Sequence, residues 1–445
     1  MDHRPTAREV ALEVLHRVDA DRAWSGPALR AALDRADLPP ADEAFATELV
    51  YGTLRHRGQV DWAIGQMLHG RLDRLPPRIR DVLRLGAYQL TFLSRVPARA
   101  ACNETVELAR RVGHPGTVAL VNAVMRRLAA SPPAWPQPAD TAEAIAVRWS
   151  HPEWLVARWL ARLGPDETRA LCAANNETPP SAVRLNTLRG TPEELGARLR
   201  DLGIDAGPSA LVPEARRITG GSSEAREAAY AAGLITPQDE GSMLVARLVA
   251  PEPGEFIIDG CAAPGGKTTH LAALMGGRGR VVACDVLPQK LETISRHCAR
   301  LGATGVETRL LDAARLGETY PAAADRVLVD APCSGLGVLR RRPEIRWRIR
   351  PEDLAAIAAR QVRLLGGAAG AVRPGGRLVY SVCTTEPEEG REVISAFLAA
   401  TPGFEPVPVR DRPFATPDMR PGTALLYPHR TGTDGFFIAV LRRTA

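Results

Sequence analysis

From residue 251 onward, short apolar runs alternate with longer amphipathic stretches, and this alternation restricts the fold more than any other feature of the chain. The apolar runs are EFIID, RVVACD, RVLVD and RLVYSV, with VETRLLD a weaker member of the set. Helical periodicity fills the gaps over 267–275, 289–301, 352–371 and 388–399. Strands alternating with helices predict an α/β domain built on a mainly parallel sheet covered on both faces. Ligands of such sheets bind beyond the carboxyl ends of the strands. The residues with chemical potential stand at those ends: 259–267, 285, 312, 330–333 and 383.

A chain of 445 residues exceeds one ordinary core, so further domains must precede this one. Residues 1–130 read as helices. Val10, Val14 and Val18 share one face, and Val118, Val121, Met125 and Leu128 share another. Basic groups beside these helices (Arg55 and Arg57, Arg110 and Arg111, Arg126 and Arg127) suit an RNA-facing surface. A linker and a helical segment follow over 131–175, beginning with the Pro-rich SPPAWPQP. Residues 176–236 read as a small α/β subdomain. Its strand is SAVRLNTL, and its helix opens with Thr191 as N-cap, Pro192 in the first turn and Glu194 closing a capping box. Thr236 and Asp239 repeat that spacing and predict a second capped helix, at the entrance to the last domain, 237–445.

The seven cysteines include no CxxC pair, and the N-terminus carries no apolar signal sequence. A reducing, cytoplasmic setting is expected, with neither a disulfide framework nor a metal site. No apolar stretch approaches the length of a membrane span. The excess of 57 basic over 51 acidic residues is compatible with a nucleic-acid partner. Only Lys267 and Lys290 among these basic residues are lysines. Lys290 falls on a surface helix. Lys267 falls in CAAPGGKT, where a point charge serves a bound ligand.

That stretch, EFIIDGCAAPGGKTTHL, is a strand, a glycine-rich turn and a helix start. Backbone approaches a ligand closely at such a turn, and the helix start offers free N–H groups. It is not a Walker A loop, because Cys261 stands where the first glycine is required and Gly260 is one place early. Asp285, at the next strand end, can accept the two ribose hydroxyls of an adenosine cofactor, and Asp312, after the third strand, its amine.

Cys333 lies in DAPCSG after one apolar strand, and Cys383 in YSVCTT after another. Cys298 belongs to a helical stripe with Leu291, Ile294 and Leu301, a core pattern, and Cys102, Cys172 and Cys284 have no chemical context. Two cysteines, an acid and an adenosine site suggest methylation at carbon 5 of cytosine. That carbon is too weak a nucleophile unaided. A thiolate adding at carbon 6 makes an enamine that attacks through carbon 5, and an acid beside N3 and the amine steadies the adduct. The base must be unpaired or flipped out. The residues themselves leave open which cysteine attacks.

Several longer stretches together carry a family resemblance: DGCAAPGGKT, Asp285, Asp312, DAPCSGLGVLRRRPEIRW, YSVCTTEPEEG and DGFF. Residues 255–445 resemble the RNA (cytosine-5) methyltransferases of the NSUN and Sun type. Residues 1–130 resemble a NusB-type RNA-binding domain through YGTLRHRGQVDW and VNAVMRRL. The resemblance implies a Rossmann-like S-adenosylmethionine-dependent domain preceded by an all-helical NusB-like domain. It implies Cys383 as the attacking thiol, Cys333 as the residue that helps resolve the adduct, and catalytic roles for Asp330 and Lys267. It implies S-adenosyl-L-methionine held by Cys261, Ala262, Ala263, Pro264, Gly265, Gly266, Lys267, Asp285, Asp312 and Asp330, with Asp330 also reaching the cytosine. A NusB-like domain fused to this core implies 16S rRNA as substrate, free or in an assembling small subunit, with no DNA or membrane partner and a monomeric enzyme. The alternatives are a tRNA substrate and a non-catalytic RNA-binding assembly factor. The basic RRRPEIRWRIR beside Cys333 suits phosphate contacts.

Overall fold

Helices begin where the sequence supplies caps. Thr6 accepts the Glu9 N–H, and Glu9 in turn accepts the Thr6 N–H at 2.7 Å, which starts the helix Ala7–Ala20. Eight more follow in the same unit: Ser25–Ala36, Pro40–Arg55, Arg57–Met67, Pro77–Phe92, Ala98–Val112, Pro115–Ala130, Ala142–Trp149 and Glu153–Ala174. The last is interrupted at Gly164, whose φ of 78° no helix interior allows, and Pro165 restarts it. The computed structural model describes residues 4–131, 133–136, 140–409 and 421–444. Part of the Pro-rich linker, at 132 and 137–139, lies outside them.

The chain divides into two compact units, Met1–Thr178 with Leu339–Ile349, and Pro179–Val338 with Arg350–Ala445. In the first, Val10, Val14 and Val18 are buried together with Val121, Met125 and Leu128, while Val118 is only partly covered. The inclusion of Leu339–Ile349 withdraws Arg346 and Arg348 from the phosphate-contact reading of RRRPEIRWRIR, while Arg342 and Arg350 stay exposed. Arg346 is fully buried and donates to the Ser150 carbonyl and Asn176 Oδ1, each at 2.8 Å, and to the Asn175 carbonyl at 3.2 Å. Glu344 is buried and accepts the Ser25 hydroxyl at 2.9 Å, and Arg348 donates to the carbonyls of Val18 and Ala23. Guanidiniums already engaged inside protein are not free for phosphate. Arg55 is likewise buried, and Arg57 is bound to Asp19 at 2.9 Å. Arg110 and Arg111 form exposed pairs with Glu107 and Glu9.

The second unit opens with four short strands, β1 (Ser181–Leu185), β2 (Ala206–Pro208), β3 (Ala215–Ile218) and β4 (Ile235–Pro237). All pair antiparallel in the order β2-β3-β1-β4. Thr191 caps the helix Pro192–Asp201 with Glu194 closing the box. The second predicted cap moves. Thr236 sits inside β4 opposite Arg184, so its backbone is committed to the sheet, and Asp239 itself caps the helix Glu240–Val249 by accepting from Gly241 N.

The large sheet comprises β5 (Phe256–Asp259), β6 (Arg280–Asp285), β7 (Val306–Leu310), β8 (Ala324–Asp330), β9 (Val372–Val382), β10 (Phe404–Pro406), β11 (Thr423–Leu426) and β12 (Phe436–Arg443). Its order is β10-β12-β9-β8-β5-β6-β7, with β11 on β12. Pairing is parallel from β7 to β9 and antiparallel among β9, β10, β11 and β12, so the sheet is mixed. The chain leaves β5 toward β6 and returns on its other side as β8, which opens a crevice at the carboxyl end of β5. Helices Gly266–Leu274, Pro288–Leu301, Pro351–Ala369 and Arg391–Ala400 connect or flank these strands. The last begins three residues later than its periodicity predicts, and just before it the Glu389 carbonyl accepts the Tyr380 hydroxyl at 2.6 Å. Among the described residues no helix is long and apolar enough to cross a membrane.

Candidate active site

Strand register brings the site together. In the parallel pair β8–β9, Asp330 lies beside Ser381, and the chain beyond each strand turns up carrying Cys333 and Cys383. The two sulfurs are 3.2 Å apart. The loops are locked at backbone level, Gly337 N donating to the Cys383 carbonyl at 2.9 Å and Gly435 N to the Gly337 carbonyl at 2.8 Å. A Cβ on Gly337 would stand 2.1 Å from the Gly435 carbonyl oxygen, so this approach of DAPCSGLG to DGFF demands glycine.

From β5 the chain enters the glycine-rich turn. Gly265, at φ 101°, precedes the helix Gly266–Leu274, whose first turn carries Lys267. Lys267 Nζ lies 2.7 Å from Asp330 Oδ2, and Asp330 Oδ1 accepts the Ser381 hydroxyl at 2.6 Å. The same ammonium lies 5.4 Å from the centre of the Phe436 ring. Burial acts against the Lys267 charge, but Asp330, Cys383 and Asp259 overcome it and hold the pKa above the ordinary lysine value. Lys267 is therefore a fixed cation.

The thiols differ. The Cys333 pKa is held well above that of a free thiol, first by its hydrogen bond with Cys383, then by burial, the Cys383 charge and Glu389. Burial raises the Cys261 thiol too, and the carboxylates of Asp259, Asp330, Asp285 and Asp312 add to it, a sign that all four acids converge on this turn. Asp259 is buried beneath it, accepting the Thr268 hydroxyl at 2.7 Å, and burial pushes its carboxyl up to about 7.

Asp285 ends β6 and accepts Leu287 N at 3.2 Å, and Lys290 reaches its other oxygen at 3.4 Å. Lys290 does lie on a surface helix, half-exposed, and from there meets this acid. Asp312 accepts Ala314 N at 3.0 Å beyond β7. Val286, Leu287 and Leu310 expose apolar side chains at these same strand ends, a surface suited to a flat base. Cys172, Cys284 and Cys298 are buried and Cys102 partly so. No group of three candidate metal ligands occurs among the described residues.

The description of 16S rRNA methyltransferase RsmB/F matches residues 246–442, the span that carries both cysteines and the glycine-rich turn. Along nearly its whole length the chain is 35% identical to the probable ribosomal RNA small subunit methyltransferase B of Bacillus subtilis, covering 99% of each protein. The chain belongs to the RsmB/F family of rRNA methyltransferases. The family's Thermus thermophilus member, ribosomal RNA small subunit methyltransferase B, is 38% identical, with 98% of each chain covered. The solved structure of PH0851 superposes with a TM-score of 0.85 at 29% identity over the whole of both chains. Residues 5–130 match the NusB family, and 151–223 match the ferredoxin-like domain of RsmF/B-like methyltransferases. This chain thus joins a helical NusB domain, a small ferredoxin-like α/β domain and an α/β methyltransferase domain.

Sequence reasoning placed Asp259 in the strand-end stretch 259–267 but gave it no role, and it gave none to Ser381 or Glu389. For Ser381 the signal was present, since it lies two residues before Cys383 in YSVCTT. Nothing local marks Glu389.

Proposed function

We propose that this chain transfers a methyl group from S-adenosyl-L-methionine to carbon 5 of a specific cytosine in 16S rRNA, through a covalent bond between Cys383 and cytosine C6. The observation that carries the proposal is the pair of thiols 3.2 Å apart beside the Lys267–Asp330 ion pair. The RNA substrate class rests on membership of the RsmB/F family and on the NusB domain.

The residues present fit the cofactor. Cys261–Lys267 would supply a backbone cradle, Asp285 would receive the ribose hydroxyls and Asp312 the adenine amine, and Val286, Leu287 and Leu310 would cover the base. S-adenosylmethionine, when bound, supplies an electrophilic methyl. Asp330, oriented by Lys267 and Ser381, accepts from the exocyclic amine of the flipped cytosine, and the Lys267 ammonium beside it offsets the negative charge the ring gains as the Cys383 thiolate adds. Cys333 keeps its proton during that addition, because Cys383 is the largest influence on it. Once the Cys383 sulfur has become a thioether, that influence is gone and the Cys333 proton is more easily lost. Cys333 is then able to help remove the C5 proton, after which the Cys383–C6 bond breaks and the product leaves.

Two variants test this. Cys383→Ala abolishes both methyl transfer and covalent capture of RNA, whereas Cys333→Ala accumulates a methylated RNA–protein adduct on denaturing gels. The reverse pattern overturns the assignment of the two roles. Bisulfite sequencing of rRNA and tRNA from cells with and without the gene tests the substrate: one 16S cytosine loses its methyl group, and an unchanged map refutes the activity.

A further inference from the structure

Glu389 has no part in the chemistry above, yet it is fully buried six residues beyond Cys383. Its carboxylate is turned toward the other cysteine's loop. Oε2 accepts the Ser334 N–H at 2.8 Å, and Oε1 accepts the Ser334 hydroxyl. Gln361, buried on the helix Pro351–Ala369, donates to Glu389 Oε2 at 3.1 Å and to the Pro332 carbonyl at 3.0 Å. Both neighbours of Cys333 in the chain are thereby held by one buried pair. The Ser334 hydroxyl also lies 3.3 Å from that of Thr384, next to Cys383. A buried carboxylate surrounded by donors in this way is costly to remove from water, and a turn that needed only packing would be filled by an apolar side chain.

We infer that Glu389 is a positioning residue for resolution of the covalent adduct: as part of the Cys383 loop it grips the Cys333 loop through Ser334 and so sets the Cys333 sulfur against that of Cys383. The inference rests on the roles proposed above for the two cysteines. The Glu389 carboxylate is engaged by Ser334 and Gln361. It acts through Ser334 on where the Cys333 thiol points, and its negative charge helps keep the proton on that thiol.

Glu389→Gln is the direct test, since the amide keeps the volume but places an N–H₂ against donors. With full-length protein, 16S rRNA transcript and S-adenosylmethionine, the variant should form the adduct at the wild-type rate. It should release product about tenfold more slowly, with KM for RNA unchanged. Alkylation of Cys333 by iodoacetamide, followed by peptide mass spectrometry, should become several-fold faster in the same variant. Wild-type values for both the adduct fraction and the alkylation rate overturn the inference. If circular dichroism shows Glu389→Gln unfolded, Gln361→Met carries the test: it removes one donor to the carboxylate and the Pro332 contact, and should move both readouts in the same direction. No movement there also overturns it. If Cys333→Ala traps no adduct, the roles assigned to the cysteines fail, and the alkylation rate still decides whether Glu389 holds the Cys333 loop.

Discussion

Lys267 is one of two lysines in a chain that otherwise uses arginine, and its surroundings explain the choice. A compact ammonium reaches Asp330 at 2.7 Å while packing near the Phe436 ring, in a space where a planar guanidinium would crowd both. Lys267→Met leaves the Asp330 carboxylate without its counter-charge. Its kcat/KM should drop about 100-fold with the fold retained, as for loss of one group that stabilises developing charge. Lys267→Arg should rescue little of this, which steady-state kinetics on both variants would check. Lys290 shows how much a single residue's letters conceal. Its place on a surface helix is legible, whereas its link to Asp285 depends on where the helix Pro288–Leu301 starts.

At the scale of elements, the helix Gly266–Leu274 is held from behind by the small antiparallel sheet. Buried Arg184 of β1 donates to Thr269 Oγ1 at 2.9 Å and to the Gly266 carbonyl, and His270 sits 2.5 Å from Glu214, which also binds Arg247. Burial, with Arg184, pushes the His270 pKa down to about 4 despite Glu214, while His270 and Arg247 outweigh burial and lower Glu214. A histidine with a depressed folded-state pKa contributes stability above its unfolded value of about 6.5, and that contribution is lost as pH falls toward 4. Thermal melting should therefore decline from pH 6.5 to 4, and His270→Gln should flatten this part of the profile. The depressed Glu214 acts lower, its contribution being lost as pH falls below about 4.5. The displaced cap is a second test of the same region. Asp239→Ala should cost about 1 kcal/mol, because Gly241 N loses its acceptor, and Thr236→Ala should leave that helix start intact. Thr236 and Asp239 both have cap chemistry; pairing of Thr236 in β4 decides between them.

At the scale of the molecule, the segment Leu339–Ile349 links chemistry to architecture. It begins six residues after Cys333 and belongs to the first unit. Arg346 satisfies three backbone or side-chain oxygens there. Arg346→Met strands those acceptors and should destabilise the protein by about 3 kcal/mol, measured by denaturant unfolding. Because that guanidinium is buried, RNA affinity extrapolated to a folded population should keep its dependence on salt. A salt slope lowered by one phosphate contact would restore the phosphate-binding reading. Strands, turn and cysteines were legible in the sequence because each is local: two-residue and 3.6-residue periods, glycines at a turn, thiols just beyond apolar runs. Which arginines face solvent, which residue caps, and what Glu389 holds were decided only by tertiary structure. Burial and hydrogen-bond partnership are properties of contacts between residues far apart in the chain, such as Arg346 with Ser150 or Glu389 with Ser334, and no local pattern carries them.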